Sequence, residues 1–370
     1  MNVVWYRGGN LVKAPSWISQ LSWLDLLLVF VPLTAVAQYF HWESTAFIFS
    51  CLGIIPLAGL MGKATEFLAE RFGEGIGGLL NATFGNACEL IIGFAALRAG
   101  YFDIVKASIT GSIIGNILLV LGGSMLAGGL KFETQNFNRT AATTHATLLA
   151  LGAISLTVPA IFHFSTKAHY NEDDLALGIS AILFITYLLS LYFSLKTHKH
   201  LYTRVVDEDS ESALGVKGWS TTTSFVVLAI ATVIVAWLSE VLVHTVEHMA
   251  HAFHLNRLFI GVILIAIVGN AAEHSTAVLM ARKNKMDLSI GIALGSGAQI
   301  ALFVAPLLVF LSFFFAPRPM DLTFSPFEVL AVVVSVIILS FVATDGECNW
   351  LEGVQLLAVY GILGFAFYYA

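Results

Sequence analysis

One short phrase occurs twice in this chain, 184 positions apart: Gly85-Asn86-Ala87-Cys88-Glu89 and Gly269-Asn270-Ala271-Ala272-Glu273. Each copy lies inside a long apolar stretch, so each puts a carboxylate where a charge is expensive. The register holds beyond the phrase, because Arg98 meets Arg282, Asp103 meets Asp287, Gly111 meets Gly295 and Ser112 meets Ser296 without a gap. The chain is an internal repeat, and its fold has to bring two copies of one unit together.

Apolar residues make up 58% of the chain and charged residues 11%, against about 25% charged in a soluble domain. Apolar runs of about 20 residues recur, the length a bilayer demands of a helix. A barrel would instead show weakly alternating segments of about ten residues. The pattern predicts an all-α polytopic membrane protein with spans near 21–40, 45–69, 75–97, 102–129, 139–163, 173–195, 220–243, 256–281, 286–315, 323–343 and 350–369, eleven transmembrane helices in all. With a cytosolic N-terminus, thirteen loop Lys and Arg fall on the cytosolic side and four opposite, a strong positive-inside bias. That places the N-terminus in the cytosol and the C-terminus outside. The two phrases then lie in the third and eighth spans, an odd number apart, and run oppositely through the membrane. The expected organisation is residues 1–44 as N-terminus and first helix, 45–195 as one five-helix repeat and 220–370 as its inverted copy. Between them, 196–219 reads as a solvated cytosolic linker with Asp207, Glu208, Asp209 and Glu211. Inverted repeats build a site on their shared axis near the midplane, open to each side in turn.

The net charge of −6 and the absence of a basic run give no reason to expect a nucleic-acid partner. Cys51, Cys88 and Cys348 form neither a disulfide framework nor a metal spacing. Residues 1–20 carry no apolar core of a signal peptide.

Glu89 and Glu273 together supply two negative charges, enough to neutralise one divalent cation. A hard cation such as Ca²⁺ takes about six to eight oxygens. Two carboxylates provide up to four. The rest are expected from carbonyls loosened at Gly85-Asn86 and Gly269-Asn270, and from the side chains of Ser112, Asn116, Ser296 and Gln299. No thiolate or imidazole set completes a soft-metal site, so the inventory favours Ca²⁺, Mn²⁺ or Mg²⁺ over Zn²⁺ or copper. Desolvation and a like-charged neighbour both favour the protonated carboxyl. Two empty glutamates side by side therefore hold protons, and a cation has to displace them. Cation and proton become exclusive loads on one site, the physical minimum for antiport. The competing arrangement is a pair of glutamates neutralised by a basic residue, for which Lys106 stands nearest among the spans.

A second acid pair, Glu66 and Glu240, sits near the ends of the second and seventh spans. It reads either as entrance residues guiding cations or as interfacial side chains. His244, Glu247 and His248 spell the H-x-x-E-H order of some zinc proteases, and His251 and His254 extend the stripe. No third ligand of defined spacing follows, so the stretch reads as a helix at the membrane edge and not as an enzyme. Arg98, Asp103, Arg282 and Asp287 read as span-end charges in local pairs.

The stretches Gly77 to Glu89, Gly269 to His274 and Asn284 to Ser296 resemble the cation/proton exchanger family, the Ca²⁺/H⁺ antiporters of the Ca²⁺/cation antiporter superfamily. The resemblance covers most of residues 45–370. It implies an eleven-helix carrier without a resident cofactor that exports Ca²⁺ in return for protons. It also implies that Glu89 and Glu273 bind cation and proton alternately, with Asn86, Asn270, Ser112, Ser296 and Gln299 lining the site. The acidic stretch Asp207 to Glu211 resembles a shortened form of the family's linker. The long N-terminus of plant members is missing, which points to a prokaryotic cell membrane. Cys88 departs from the small or hydroxyl residue expected there. A Na⁺/Ca²⁺ exchanger is the nearest alternative, followed by a Mn²⁺/H⁺ antiporter. Na⁺-coupled members tend to place a proline before the glutamate and an acid in the following span. Here Cys88 and Ala272 precede the glutamates, and no acid lies between Gly111 and Val120. A passive channel would have no need of duplicated protonatable ligands.

Overall fold

The computed structural model describes residues 4–7, 10–13, 23–165, 172–198 and 219–370. In a lipid core every backbone amide must pair inside its own segment, and the apolar runs accordingly fold as helices. Among the described residues, nine are long and apolar enough to cross a membrane: Glu43–Phe72, Phe102–Gly129, Arg139–His163, Glu172–Thr197, Thr221–Phe253, Arg257–Arg282, Met286–Phe315, Pro326–Asp345 and Trp350–Tyr369. A shorter apolar helix occupies Leu24–Tyr39, where the first span was expected.

The remaining expected span is interrupted. Helix α1 (Phe30–Tyr39) leads into α2, which extends over Glu43–Phe84. α2 is not straight. A Cβ built on Gly77 would lie 2.3 Å from the carbonyl oxygen of Ala69, although eight residues of straight helix rise about 12 Å. The chain therefore doubles back between them, at the expected boundary of the second and third spans. The returning segment reaches a turn at Gly85-Asn86 and continues as α3 (Ala87–Arg98). The short first helix and this interrupted segment stand where the first and third spans were expected.

Two helices form the centre. The first comprises α4 (Phe102–Ile114), a π-helical segment Gly115–Val120 and α5 (Leu121–Gly129). The second comprises α10 (Met286–Gln299), a π-helical segment Ile300–Val304 and α11 (Ala305–Phe315). The two π segments fall at corresponding places in the repeat. Around them stand α6 (Arg139–Ser165), α7 (Glu172–Tyr192), α8 (Thr221–Phe253), α9 (Ala266–Arg282), α12 (Pro326–Asp345) and α13 (Trp350–Tyr369). α9 is preceded by the turn Arg257–Phe259 and a third π segment, Ile260–Ile265. Burial follows this order: 89% of the most apolar window in Phe102–Gly129 is buried, against 17% in Trp350–Tyr369. Helix starts carry their expected chemistry, with capping boxes at Ser325/Glu328 and Asn349/Glu352.

Two features differ from the sequence expectation. α8 continues past residue 243 to Phe253, because the apolar run stops there but the helix does not. Two small antiparallel pairings also form, Val4–Arg7 with Asn10–Lys13, and Gln135–Asn136 with Glu347–Cys348. The acidic stretch Asp207 to Glu211 lies outside the described residues.

Candidate cation site

The turn at Gly85-Asn86 puts Glu89 in the first turn of α3, where unpaired backbone amides make a helix end positive. The Glu89 backbone amide donates to its own carboxylate, and the side chain is buried, with 7% exposure. Across from it runs the second phrase. A Cβ on Gly269 would stand 3.4 Å from Cγ and 3.6 Å from the carboxylate carbon of Glu89. The carboxylate of one repeat thus rests on the backbone of the other. Glu273 lies within electrostatic reach of it.

A ring of amides and hydroxyls surrounds the pair. Asn86 Nδ2 donates to Gln299 Oε1, and Ser296 Oγ donates to Asn86 Oδ1 at 3.0 Å. Asn270 Nδ2 donates to Ser112 Oγ at 3.0 Å. The asparagine of each phrase therefore meets the serine of the opposite repeat, a swap that relates the halves by a pseudo-twofold axis. Asn116 Nδ2 donates to Ser296 Oγ at 3.2 Å, and Ser296 also lies in hydrogen-bond reach of Glu273.

These bonds use up donors and leave acceptors. Glu89 Oε2, Glu273 Oε2, Asn116 Oδ1 and Asn270 Oδ1 are all buried without a hydrogen-bond partner. An unsatisfied buried acceptor costs about 1–3 kcal/mol. Four in one cluster make an oxygen-rich environment that a cation would satisfy. A small cavity of about 10 Å³, room for about one water, opens beside Glu89, lined by Gly93, Val105, Ser108, Ser112, Val304 and Leu308 among others. Ser108 was missed by the sequence reading. It precedes Ser112 by one helical turn, and that spacing is the signal that would have found it.

Lys106 does not neutralise the glutamates. Its Nζ donates to Asp321 Oδ1 at 2.6 Å and to the Thr323 carbonyl at 2.9 Å. Glu328, close by, accepts from Thr110 Oγ1 at 3.2 Å. Burial works against the charge of Asp321, but the Lys106 ammonium and Thr323 hold its carboxyl below the usual range. A depressed folded-state value means that this stabilisation is present above the unfolded value and is lost as pH falls through the folded one. Breaking a buried pair by removing one partner costs about 3–5 kcal/mol, and the slight exposure of both side chains, 13% and 14%, favours the lower end. Lys106→Met should therefore lower the melting temperature in detergent at pH 7 and narrow its gap to wild type at strongly acidic pH.

The phrases are not equivalent in backbone. The first interrupts its helix. The second does not, because α9 runs unbroken over Ala266–Arg282 and Asn270 Nδ2 also donates to the Ala266 carbonyl at 2.9 Å. The expectation of loosened carbonyls thus meets a helix break at Gly85 and none at Gly269. Glu66 and Glu240 stay outside the ring with exposed side chains. Glu240 stands 3.4 Å from Arg98, and Glu66 has Lys63 and Glu70 as its charged neighbours. Asp103 meets Arg257 at 3.3 Å, and Asp287 accepts from the Asn138 amide.

The chain matches the family described as sodium/calcium exchanger protein over residues 42–196 and 223–369. It is 44% identical over 359 residues to a Ca(2+)/H(+) antiporter of Aphanothece halophytica, covering 93% of this chain and 95% of that protein. It is 45% identical over 344 residues to the Ca(2+)/H(+) antiporter ChaA of Bacillus subtilis (strain 168), covering 91% and 96%. Its fold is similar to the structure of native YfkE with a TM-score of 0.81 and 42% identity, over 94% of this chain and 99% of that one.

Proposed function

Because the chain belongs to the sodium/calcium exchanger protein family and, within it, to the cation/proton exchangers, we propose that it exchanges Ca²⁺ for H⁺ across a membrane by alternating access. The observation that carries this reading is that Glu89 and Glu273, one from each repeat, lie within electrostatic reach of each other, each with a buried carboxylate oxygen that lacks a hydrogen-bond donor. Loaded with Ca²⁺, the two carboxylates offset the ion's charge, and Asn116, Asn270, Ser112, Ser296, Asn86 and Gln299 stand by as neutral oxygen donors. Without Ca²⁺, protons take the place of the ion on the same carboxylates. A doubly charged, empty site is costly to occlude in a low-dielectric interior, which suppresses return without cargo.

The N-terminus is cytosolic and the C-terminus outside. The exchanging units are 45–195 and 220–370, and Glu66 and Glu240 guard the entrances on opposite faces.

Purified protein in liposomes, acid inside, tests the exchange. External Ca²⁺ added without Na⁺ should enter as internal pH rises. No movement until a Na⁺ gradient is imposed would make the carrier Na⁺-coupled. Uptake of Mn²⁺ with rejection of Ca²⁺ would reassign the cargo. Truncating the Glu240–Arg98 pair with Glu240→Gln should change exchange by less than about twofold if the pair is only a surface contact of about 0–1 kcal/mol. A larger loss in initial rate at low Ca²⁺ would support the entrance role.

A further inference from the structure

The histidine stripe is left unused by the exchange site. α8 extends over Thr221–Phe253, a helix of about 50 Å at 1.5 Å per residue, against a hydrocarbon core of about 30 Å. Its apolar run, Phe225 to Val243, already has the length of one crossing. The segment from His244 onward emerges on the face that carries Arg98, Asp103 and Arg257. That level is marked by ion pairs: Arg257 binds both Asp103 and Glu247, and its guanidinium stacks over Tyr101.

His244, His248 and His251 are exposed on this projecting end. At helical spacing they fall on one face, with residues three or four apart about 5–6 Å from each other at Cβ. His248 is thus a neighbour of both others, four positions from one and three from the next. Two imidazoles one turn apart on a helix form a metal-chelating pair, the same element that holds zinc in H-E-x-x-H helices. Glu247, the acid of the motif, is turned away to Arg257.

We propose that a histidine pair on this helix end, His248 with either His244 or His251, binds a borderline transition-metal cation, Zn²⁺, Cu²⁺ or Ni²⁺, separately from the cation site between the repeats. His248 is the shared ligand, paired with His244 or with His251. Among the described residues no set of three His, Cys, Asp or Glu is placed to hold a metal. Water therefore completes the coordination, and the metal is exchangeable. The two sites differ in ligand class. Imidazole nitrogens suit Zn²⁺, Cu²⁺ and Ni²⁺, while the glutamate and amide oxygens of the other site suit Ca²⁺. Ca²⁺ does not compete on the helix end. The inference stands independently of the exchange reading.

Calorimetric titration of untagged protein with Zn²⁺ alone tests it, in a Glu89→Gln/Glu273→Gln background where the inter-repeat site lacks its charges. Saturable Zn²⁺ binding is expected at pH 7.5, unaffected by excess Ca²⁺. His248→Ala should abolish it, and His244→Ala or His251→Ala should each weaken it. These side chains are exposed, so an unchanged melting curve is expected to confirm folding of each variant. Absence of binding, or binding that survives His248→Ala, overturns the proposal. So does Zn²⁺ binding that is seen in wild type and lost in the glutamate background.

Discussion

Glu89→Gln should stop Ca²⁺-driven proton movement in proteoliposomes and leave the protein folded. Glutamine keeps the shape that packs beside Gly269, where an added Cβ would stand 3.6 Å from the carboxylate carbon. Packing, melting temperature and elution volume should therefore match wild type. The charge is what goes. A unit charge about 4 Å away is worth about 4 kcal/mol at an effective dielectric of about 20, and a divalent ion doubles that. Even after solvation differences take most of it, Ca²⁺ occupancy at a fixed concentration should fall by more than about a hundredfold. The amide also holds no exchangeable proton load. Glu273→Gln should fail in the same way, because Glu273, bonded to Ser296, lies within electrostatic reach of Glu89 and supplies the second charge of the same cluster. Flux assays with internal pH and Ca²⁺ followed together decide the matter. A single inactive variant beside a fully active one would break the shared-site model. Cys88→Ser is the control: the thiol makes no part of the oxygen cluster, so exchange should persist.

The sequence made the two glutamates legible because the repeat concentrates its identity around them. The same register exposed Asn86 and Asn270, and Ser112 and Ser296. It did not show that each asparagine reaches the serine of the opposite half, since that pairing depends on how the central helices cross. Lys106 shows the same limit. Its partner Asp321 is 215 residues away, in a loop between spans with no motif to mark it. Backbone state was legible only in part. Both phrases carry Gly-Asn, yet only the first breaks its helix, since Asn270 bonds back to Ala266 within α9. The length of α8 escaped for a different reason: hydropathy reports where lipid contact ends, whereas the hydrogen-bond ladder of a helix continues into water. Ser108 was concealed by its type, because a serine in an apolar helix commonly satisfies itself on the backbone.

Gly111 and Gly295 occupy the same repeat position, and the structure predicts opposite outcomes for them. A Cβ on Gly111 would fall 2.1 Å from the carbonyl oxygen of Val262 and 2.6 Å from its Cα. The obstacle is backbone, in the π segment Ile260–Ile265, and cannot rotate away. A Cβ on Gly261 next to it would meet Ala107 at 2.5 Å, so the two segments touch closely at both residues. Gly111→Ala must push α4 off this segment. Overpacking ordinarily costs about 1–3 kcal/mol, and more where the backbone has to move. The shift would reach Ser112, the next residue, and its bond to Asn270. Gly111→Ala should therefore lower the melting temperature sharply, and any folded protein recovered should exchange poorly. At Gly295 the nearest atom to an added Cβ is His145 Cε1 at 3.8 Å, an ordinary contact. Alanine is favoured over glycine inside a helix by about 1 kcal/mol, so Gly295→Ala should leave stability unchanged or slightly raised. The residue equivalent to Val262 in the first half is Gly78, which shows that the repeat has diverged on the partner side of this crossing. Thermal unfolding of both variants in detergent compares them directly. Equal destabilisation would mean that the crossing is as tight in the second half as in the first, and that the asymmetry between the halves lies only in the helix break beside Glu89.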